Sequence, residues 1–285
     1  MTAEDKAFLL DKLTVRAAFE RASHHCDSAA RVQRELGERL MEHLEPVRLA
    51  PARVLDLGAG TGELAKALSR RYRKSRILAL DLAEGMMRVA RGKTRRFCSR
   101  QDFACGDAEW LPLAAERMDL VISNSALEWC NDPDRVFAEV LRVLKPGGLF
   151  MFSTLGPDTL RELRESFARV DDRPHVHGFI DMHDLGDALM RAGFTDVVMD
   201  TVRLVAEYDD VAALMRELRT LGATNALSNR CRGLSGRGRL NRLVEAYEAH
   251  RRGGVLPATF EAVFAHAWRP KSNSRAGVRV APPRL

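Results

Sequence analysis

Residues 54–62 read Val-Leu-Asp-Leu-Gly-Ala-Gly-Thr-Gly, and no other stretch restricts the fold as much. Four residues suited to a buried strand run into glycines at 58, 60 and 62. Thr61–Arg71 follows with Leu64 and Leu68 on one helical face. A strand that passes into a helix across such glycines opens a βαβ unit, whose helix packs back onto a parallel sheet.

The same rhythm continues downstream. Arg76–Leu80, Phe103–Cys105 and Met118–Ser123 read as strands, and Glu84–Gly92 as a helix. Pro133–Leu144 has an apolar helical stripe of Val136, Phe137, Val140, Leu141, Val143 and Leu144. It stops at Lys145-Pro146-Gly147-Gly148, ahead of a fifth strand at Leu149–Thr154. Beyond that point the pattern is less regular. Thr159–Val170, Met182–Ala192, Val211–Gly222 and Leu240–Arg252 are helical in pattern, and Val197–Val205 and Phe260–Trp268 are strands. The expectation is an α/β fold with a seven-stranded, mostly parallel sheet and helices on both faces. Residues 1–45 form an N-terminal helical cap. Residues 46–270 form the main domain, with 207–258 inserted as a helical lid. Ser228–Gly238, rich in Arg and Gly, reads as a mobile loop. The tail 271–285 has too little apolar content to pack and is expected to be disordered.

Several function classes are excluded at this level. No stretch approaches eighteen uninterrupted apolar residues, which argues against a membrane span. Met1–Lys12 lacks the apolar core of a secretory signal, so a cytoplasmic location is expected. Cys26, Cys98, Cys105, Cys130 and Cys231 are odd in number and contain no C-x-x-C pair. Reduced thiols, without disulfides or a metal site, are therefore expected. The net charge of +6 is uneven. From Ser228 to Leu285 there are 12 Lys/Arg against 3 Asp/Glu, leaving 33 against 36 elsewhere. A basic end on a near-neutral body suits an acidic partner, or is a solvated tail.

The glycine turn alone serves many nucleotides, and the acidic residues around it decide between them. In a dinucleotide site the glycines bring backbone close to a pyrophosphate. Asp56 would place a carboxylate there and repel phosphate. S-adenosylmethionine (SAM) has no phosphate; it carries a sulfonium and an α-ammonium group, which a carboxylate beside Gly58, Ala59 and Gly60 suits. Asp81, 21 residues beyond Gly60, ends the second strand where a carboxylate accepts both ribose hydroxyls. Asp107 and Ala108 follow the third strand, in reach of an adenine edge. Leu82 and Met86 would sandwich its faces, and Asn124 ends the fourth strand beside the methionine moiety.

Taken in register, Asp56-x-Gly58-x-Gly60-x-Gly62, Asp81, Asp107-Ala108 and Leu144-Lys145-Pro146-Gly147-Gly148 resemble the class I SAM-dependent methyltransferases, a Rossmann-like family. Flanking segments resemble one subfamily, the malonyl-[acyl-carrier protein] O-methyltransferases of biotin synthesis. They are Ala17-Ala18-Phe19 with Asp27-x-x-Ala30-x-x-Gln33, Phe152–Leu160 with Arg161-Glu162-Leu163-Arg164, and His177-Gly178-Phe179-x-Asp181-Met182 running on to Ala192-Gly193-Phe194. Leu218-Arg219-x-Leu221-Gly222-Ala223-x-Asn225 adds to them. One departure is visible: Cys26 stands before Asp27, where the resemblance leads one to expect Tyr.

The resemblance implies methyl transfer from SAM to the free carboxylate of a malonyl thioester on acyl-carrier protein. A carboxylate nucleophile has no proton to lose, so no catalytic base is expected; positioning and exclusion of water would suffice. Arg161, Arg164, His177 and Trp129, with His175, are the candidate acceptor-binding residues, since a carboxylate suits a cationic or hydrogen-bonding clamp. Carrier proteins are acidic, so Arg239 and Arg242 are the candidate docking residues. Two other readings stay open: a methyltransferase of a small free acid or quinone-type substrate, and a non-catalytic SAM-fold assembly or RNA-binding factor. The absence of an aromatic-rich basic platform makes nucleic acid the weaker partner.

Overall fold

Val54 through Leu57 are all buried, as only a strand covered on both faces can be. This strand, β1 (Arg53–Leu57), is central in a seven-stranded sheet of order β3-β2-β1-β4-β5-β7-β6. The computed structural model describes residues 9–94, 100–230 and 236–271, apart from the Arg237 side chain. In chain order come α1 (Lys12–Ala22), α2 (Arg31–His43), β1, α3 (Glu63–Arg71), β2 (Arg76–Asp81), α4 (Glu84–Lys93), β3 (Gln101–Cys105) and β4 (Met118–Asn124). Then follow α5 (Pro133–Val143), β5 (Leu144–Leu155), α6 (Arg161–Ala168), α7 (Met182–Ala192), β6 (Thr195–Tyr208), α8 (Val211–Leu221), α9 (Arg237–Glu248) and β7 (Leu256–Trp268). All neighbouring strands run parallel except β7, which is antiparallel to both β5 and β6.

Local chemistry sets the helix ends. Asp132 caps α5 by accepting from Arg135 N at 2.9 Å, and Pro133 takes the first helical position. Asp181 and Asp210 cap α7 and α8, which both end on left-handed glycines, Gly193 and Gly222. Two cores flank the sheet. Leu36, Leu68, Ile77 and Met86 belong to one, with α2, α3 and α4. Phe137, Val140, Phe150, Phe152 and Leu189 belong to the other, with α5 and α7.

The boundaries differ from expectation in three places. Lys145–Gly148 does not separate α5 from the fifth strand: β5 begins at Leu144, and a bulge opposite Met118–Leu120 absorbs the Pro-Gly-Gly turn. β6 and β7 are each longer than read, because their pairing continues to Tyr208 opposite Leu256. The last helix begins at Arg237 and ends at Glu248, earlier than Leu240–Arg252. Part of the Arg/Gly loop (231–235) and the tail (272–285) lie outside the described residues.

The order of the strands reverses between β1 and β4, and ligands of open α/β sheets bind at the carboxyl ends beside such a point. Segments from outside the sheet cover it there. Asp11 N donates to Ala226 O at 2.8 Å, and Leu10 pairs with Leu227. Leu10, Val15, Ala226 and Leu227 form a small core of their own, against which Phe19, Leu82 and Trp129 pack. The start of α1 and the segment after α8 therefore meet above the reversal point.

Candidate functional site

One cavity of about 990 Å³ occupies this position. Its floor is the turn after β1. Gly58, Gly60 and Gly62 all have positive φ (73°, 52° and 85°). At Gly58 a side chain is also excluded by space, since a Cβ would stand 2.2 Å from that of Ala126. Gly58 N and Ala59 N both donate to Leu80 O, at 2.8 and 3.0 Å, which pins the turn to the end of β2.

The acidic residues divide the work by position. Asp81 accepts from Gly60 N through Oδ2 at 2.9 Å and from Ala83 N through Oδ1 at 2.8 Å. One carboxylate thus fixes the glycine turn and the start of α4, and retains lone pairs toward the cavity. Burial holds its pKa above the usual carboxylate range. Asp56 is 1% exposed; the backbone N–H of Ala65 in the first turn of α3 offsets part of its burial, but neither carboxylate oxygen has a partner within strict hydrogen-bonding geometry. Burial pushes it to about 7. An unpaired buried carboxylate is costly unless a cation joins it. Asp107 takes Glu109 N and Lys12 Nζ on the same oxygen, Oδ1, at 3.0 and 3.1 Å. Lys12 also reaches Glu109 at 2.9 Å, so the start of α1 is clamped onto the loop after β3.

Leu82, Met86, Ala108 and Ala59 supply apolar wall around these groups. Asn124 also lines the cavity but is committed: its Nδ2 donates to Gln33 O at 2.9 Å and its Oδ1 accepts from Ser153 Oγ at 2.6 Å. It ties α2 to the sheet. The donor set fits SAM: an orphaned anion for the ammonium and sulfonium end, a backbone-held carboxylate for ribose hydroxyls, and apolar faces for adenine.

The other end of the cavity is aromatic. Trp129 meets Phe19 edge-on at 5.0 Å and His177 at 4.9 Å, and His177 meets Phe179 at 4.7 Å. Burial, and then the nearby Arg164, push the His177 ring down to about 4, so it is neutral at physiological pH. Its Nε2 is buried without a partner. Glu128, on a short 3-10 turn beside Trp129, accepts from Thr154 Oγ1 at 3.0 Å; burial raises its pKa to about 7.

Of the residues expected to bind the acceptor, Trp129, His177 and His175 line the cavity, whereas Arg161 and Arg164 do not. Leu160 has a left-handed backbone (φ 54°), and the helix it starts turns Leu160, Leu163 and Phe167 to the cavity. Position 161 falls on the neighbouring face, and Arg164, one turn after Leu160, lies at the edge of the inward face, near enough to act on His177. Arg161 pairs with Glu162 at 3.3 Å, and Arg164 donates to the carbonyls of Pro157 and Thr159 at 2.8 and 3.1 Å. Arg239 is likewise not a free surface cation: it pairs with Asp171 and lies 2.8 Å from His175 Nε2. Arg242 is exposed. Cys26 is buried in the cavity wall, its thiol 3.8 Å from Ser23 O. Lys12, Ser125 and Glu128 were not foreseen. Lys12 and Asp107 are 95 residues apart, and no periodicity marks the other two.

A methyltransferase-domain family model matches residues 55–152, the span that holds the glycine turn, Asp81, Asp107 and Asn124. The deciding likeness runs over nearly the whole chain. The malonyl-[acyl-carrier protein] O-methyltransferases of Methylovorus sp. (strain MP688) and Laribacter hongkongensis are each 50% identical to it, over 95% of this chain and 93% of theirs. The chain belongs to the malonyl-[acyl-carrier protein] O-methyltransferase family. It is a SAM-dependent methyltransferase with the class I fold. Among solved structures, the YcgJ protein of Bacillus subtilis superposes with a TM-score of 0.58 at 20% identity, covering 82% of this chain and 99% of that one. No helix of the described residues is long and apolar enough to cross a membrane. Among the described residues no cluster suited to a metal ion occurs, and Cys26, Cys105 and Cys130 are free thiols.

Proposed function

We propose that this chain transfers the methyl group of SAM to the free carboxylate of a malonyl thioester on acyl-carrier protein, giving the methyl ester that primes biotin synthesis in the cytoplasm. The observation that carries the reading is the division of one cavity into an anionic end at Asp56, Asp81 and Asp107 and a neutral aromatic end at Trp129 and His177.

When bound, SAM supplies a sulfonium methyl that moves to the acceptor oxygen, with the broken bond's electron pair left on sulfur. No proton is transferred, so none of the titratable residues is assigned a base. Asp56 holds the cationic end, Asp81 and Gly60 the ribose, and Asp107, Ala108, Leu82 and Met86 the adenine; Gly58 and Ala59 shape the turn. Residues 1–45 act as a cap and the 207–258 segment as a lid. Together they exclude water from the transfer.

The acidic carrier is drawn by the basic carboxyl end, with Arg242 as its exposed contact. Incubation with malonyl-carrier protein and methyl-labelled SAM, followed by mild base, tests the reading. Release of labelled methanol is expected; label that survives base on nitrogen or carbon would overturn it.

A further inference from the structure

The cations on the cavity wall differ in what already holds them. Lys12 is spent on Asp107 and Glu109, at 3.1 and 2.9 Å. Arg71 donates to the carbonyls of Leu44 and Glu45, at 2.9 and 3.4 Å. Arg34 follows Gln33, whose carbonyl takes the Asn124 amide at 2.9 Å. It therefore belongs to the cofactor end, which has an anion of its own to hold in the α-carboxylate of SAM. Lys66 and Arg70 lie on α3, beyond the glycine turn. Arg219 is placed differently. It lines the cavity from the last turn of α8, is exposed, and among the described residues no hydrogen bond or ion pair engages its side chain.

Contacts put Arg219 on the rim of the acceptor end. Gly222 N donates to its carbonyl at 3.1 Å, and a Cβ on Gly222 would stand 3.1 Å from Cδ1 of Phe19. The Phe19 ring in turn meets Trp129 at 5.0 Å. On the other side of Gly222, Asn225 Nδ2 donates to Pro174 O at 3.1 Å and fastens the segment to the loop that carries His175 and His177. Glu217, the acidic residue nearest in sequence, is taken by Arg31 and by Tyr208 Oη, both at 3.0 Å. Arg219 thus has no counter-ion beside an aromatic opening. It stands on the solvent side of that opening, whereas methyl transfer belongs at the floor beside Asp56. An anion held by Arg219 is therefore not the one that reacts.

We propose that Arg219 binds the phosphodiester of the prosthetic arm on which a carrier presents its acyl group, and so sets how deeply that arm enters. The inference rests on the reaction proposed above and adds an anchor at the opposite end of the substrate. A carrier-borne malonyl group hangs on a phosphopantetheine arm, with the carboxylate at its tip and the phosphodiester at its root. With the tip at the SAM methyl, the root lies at the cavity mouth. There a guanidinium fork matches two phosphate oxygens. The stretch between tip and root is uncharged, which suits the wall of Phe19 and Trp129. Holding the root also reduces the freedom that must be lost when the carboxylate is aligned on the methyl.

Malonyl-pantetheine and malonyl-phosphopantetheine differ only in the phosphate, and kcat/KM for each with the full-length protein reads the contact. The wild type should use the phosphorylated arm about 5- to 20-fold better, as expected for a charge-assisted pair that stays partly in water. Arg219→Gln should lose most of that advantage. Arg219→Lys, a point charge without the fork, should keep part of it. SAM affinity by titration calorimetry should stay within about twofold in both variants, which shows the fold and the cofactor end to be intact. Where transfer to the free arms is slow, the two are compared as competitors of malonyl-carrier protein, with the same ratio expected. A wild type that methylates malonyl-carrier protein but treats both arms alike would overturn the contact, as would an Arg219→Gln protein that keeps the preference. Equal weakening of both arms would also overturn it, and would put Arg219 on the malonyl carboxylate. A wild type that methylates no malonyl-carrier protein would overturn the reaction instead.

Discussion

The two ends of the cavity are built differently. The cofactor end is made at strand-to-helix junctions, largely from backbone, with Asp81 bridging Gly60 and Ala83 across adjacent strands. The acceptor end is assembled from segments far apart in the chain: Phe19 from α1, Trp129 after β4, and His177 from the loop before α7. The first end holds buried carboxylates, the second aromatic rings with Glu128 beside them. One end can therefore be specified by a short motif, whereas the other exists only once the whole chain has folded.

That contrast can be broken most directly at Gly58. Gly58→Ala forces a Cβ into Ala126 at a positive φ. Overpacking and strain together should cost roughly 2–4 kcal/mol in denaturant unfolding and abolish SAM binding. Asp56→Asn should leave the fold intact and weaken SAM by about 10- to 100-fold, or about 1.4–2.8 kcal/mol by calorimetry. An unchanged affinity would remove the cationic end from this site.

The two ends should also respond to pH with opposite sign. Burial raises Asp56 to about 7, and it must shed its proton to pair with a cation. SAM affinity should therefore climb as pH rises toward about 7 and level off above it. Burial raises Glu128 to about 7 as well, and its charged form repels an acceptor carboxylate. The apparent KM for malonyl-carrier should consequently rise above about pH 7, and Glu128→Gln should flatten that limb while leaving the SAM profile as it was.

The smallest effect belongs to the surface. Arg242→Glu should raise KM for the carrier substrate a few-fold at low salt and hardly at all at high salt. Arg239→Glu, by contrast, should lower thermal stability, because Arg239 pairs with Asp171.

What the chain discloses in advance follows the same division. Asp56, Asp81 and Asp107 were legible because strand ends and glycine spacing place them without knowledge of tertiary packing. The arginines of α6 do not line the cavity for a physical reason: Leu160, Leu163 and Phe167 take the inward positions, Arg161 pairs with Glu162, and Arg164 is spent on the carbonyls of Pro157 and Thr159. Asn124 was located correctly, but its amide serves to hold α2. Ser125, Glu128 and Lys12 could not be read, since a backbone strain, a burial and a 95-residue contact leave no local pattern.

The paired ends of β6 and β7, Tyr208 opposite Leu256, bound everything inserted between them. A segment whose entry and exit points are neighbours can be exchanged as a cartridge, because the sheet registers only the ribbon and not what hangs from it. Since Leu10 and Asp11 bond to Leu227 and Ala226, the unit to transplant is residues 209–255 together with 9–22. A chimera made at those joints would carry a foreign cover over an acceptor end that keeps Trp129 and His177, and it would have to preserve the contact of Lys12 with Asp107.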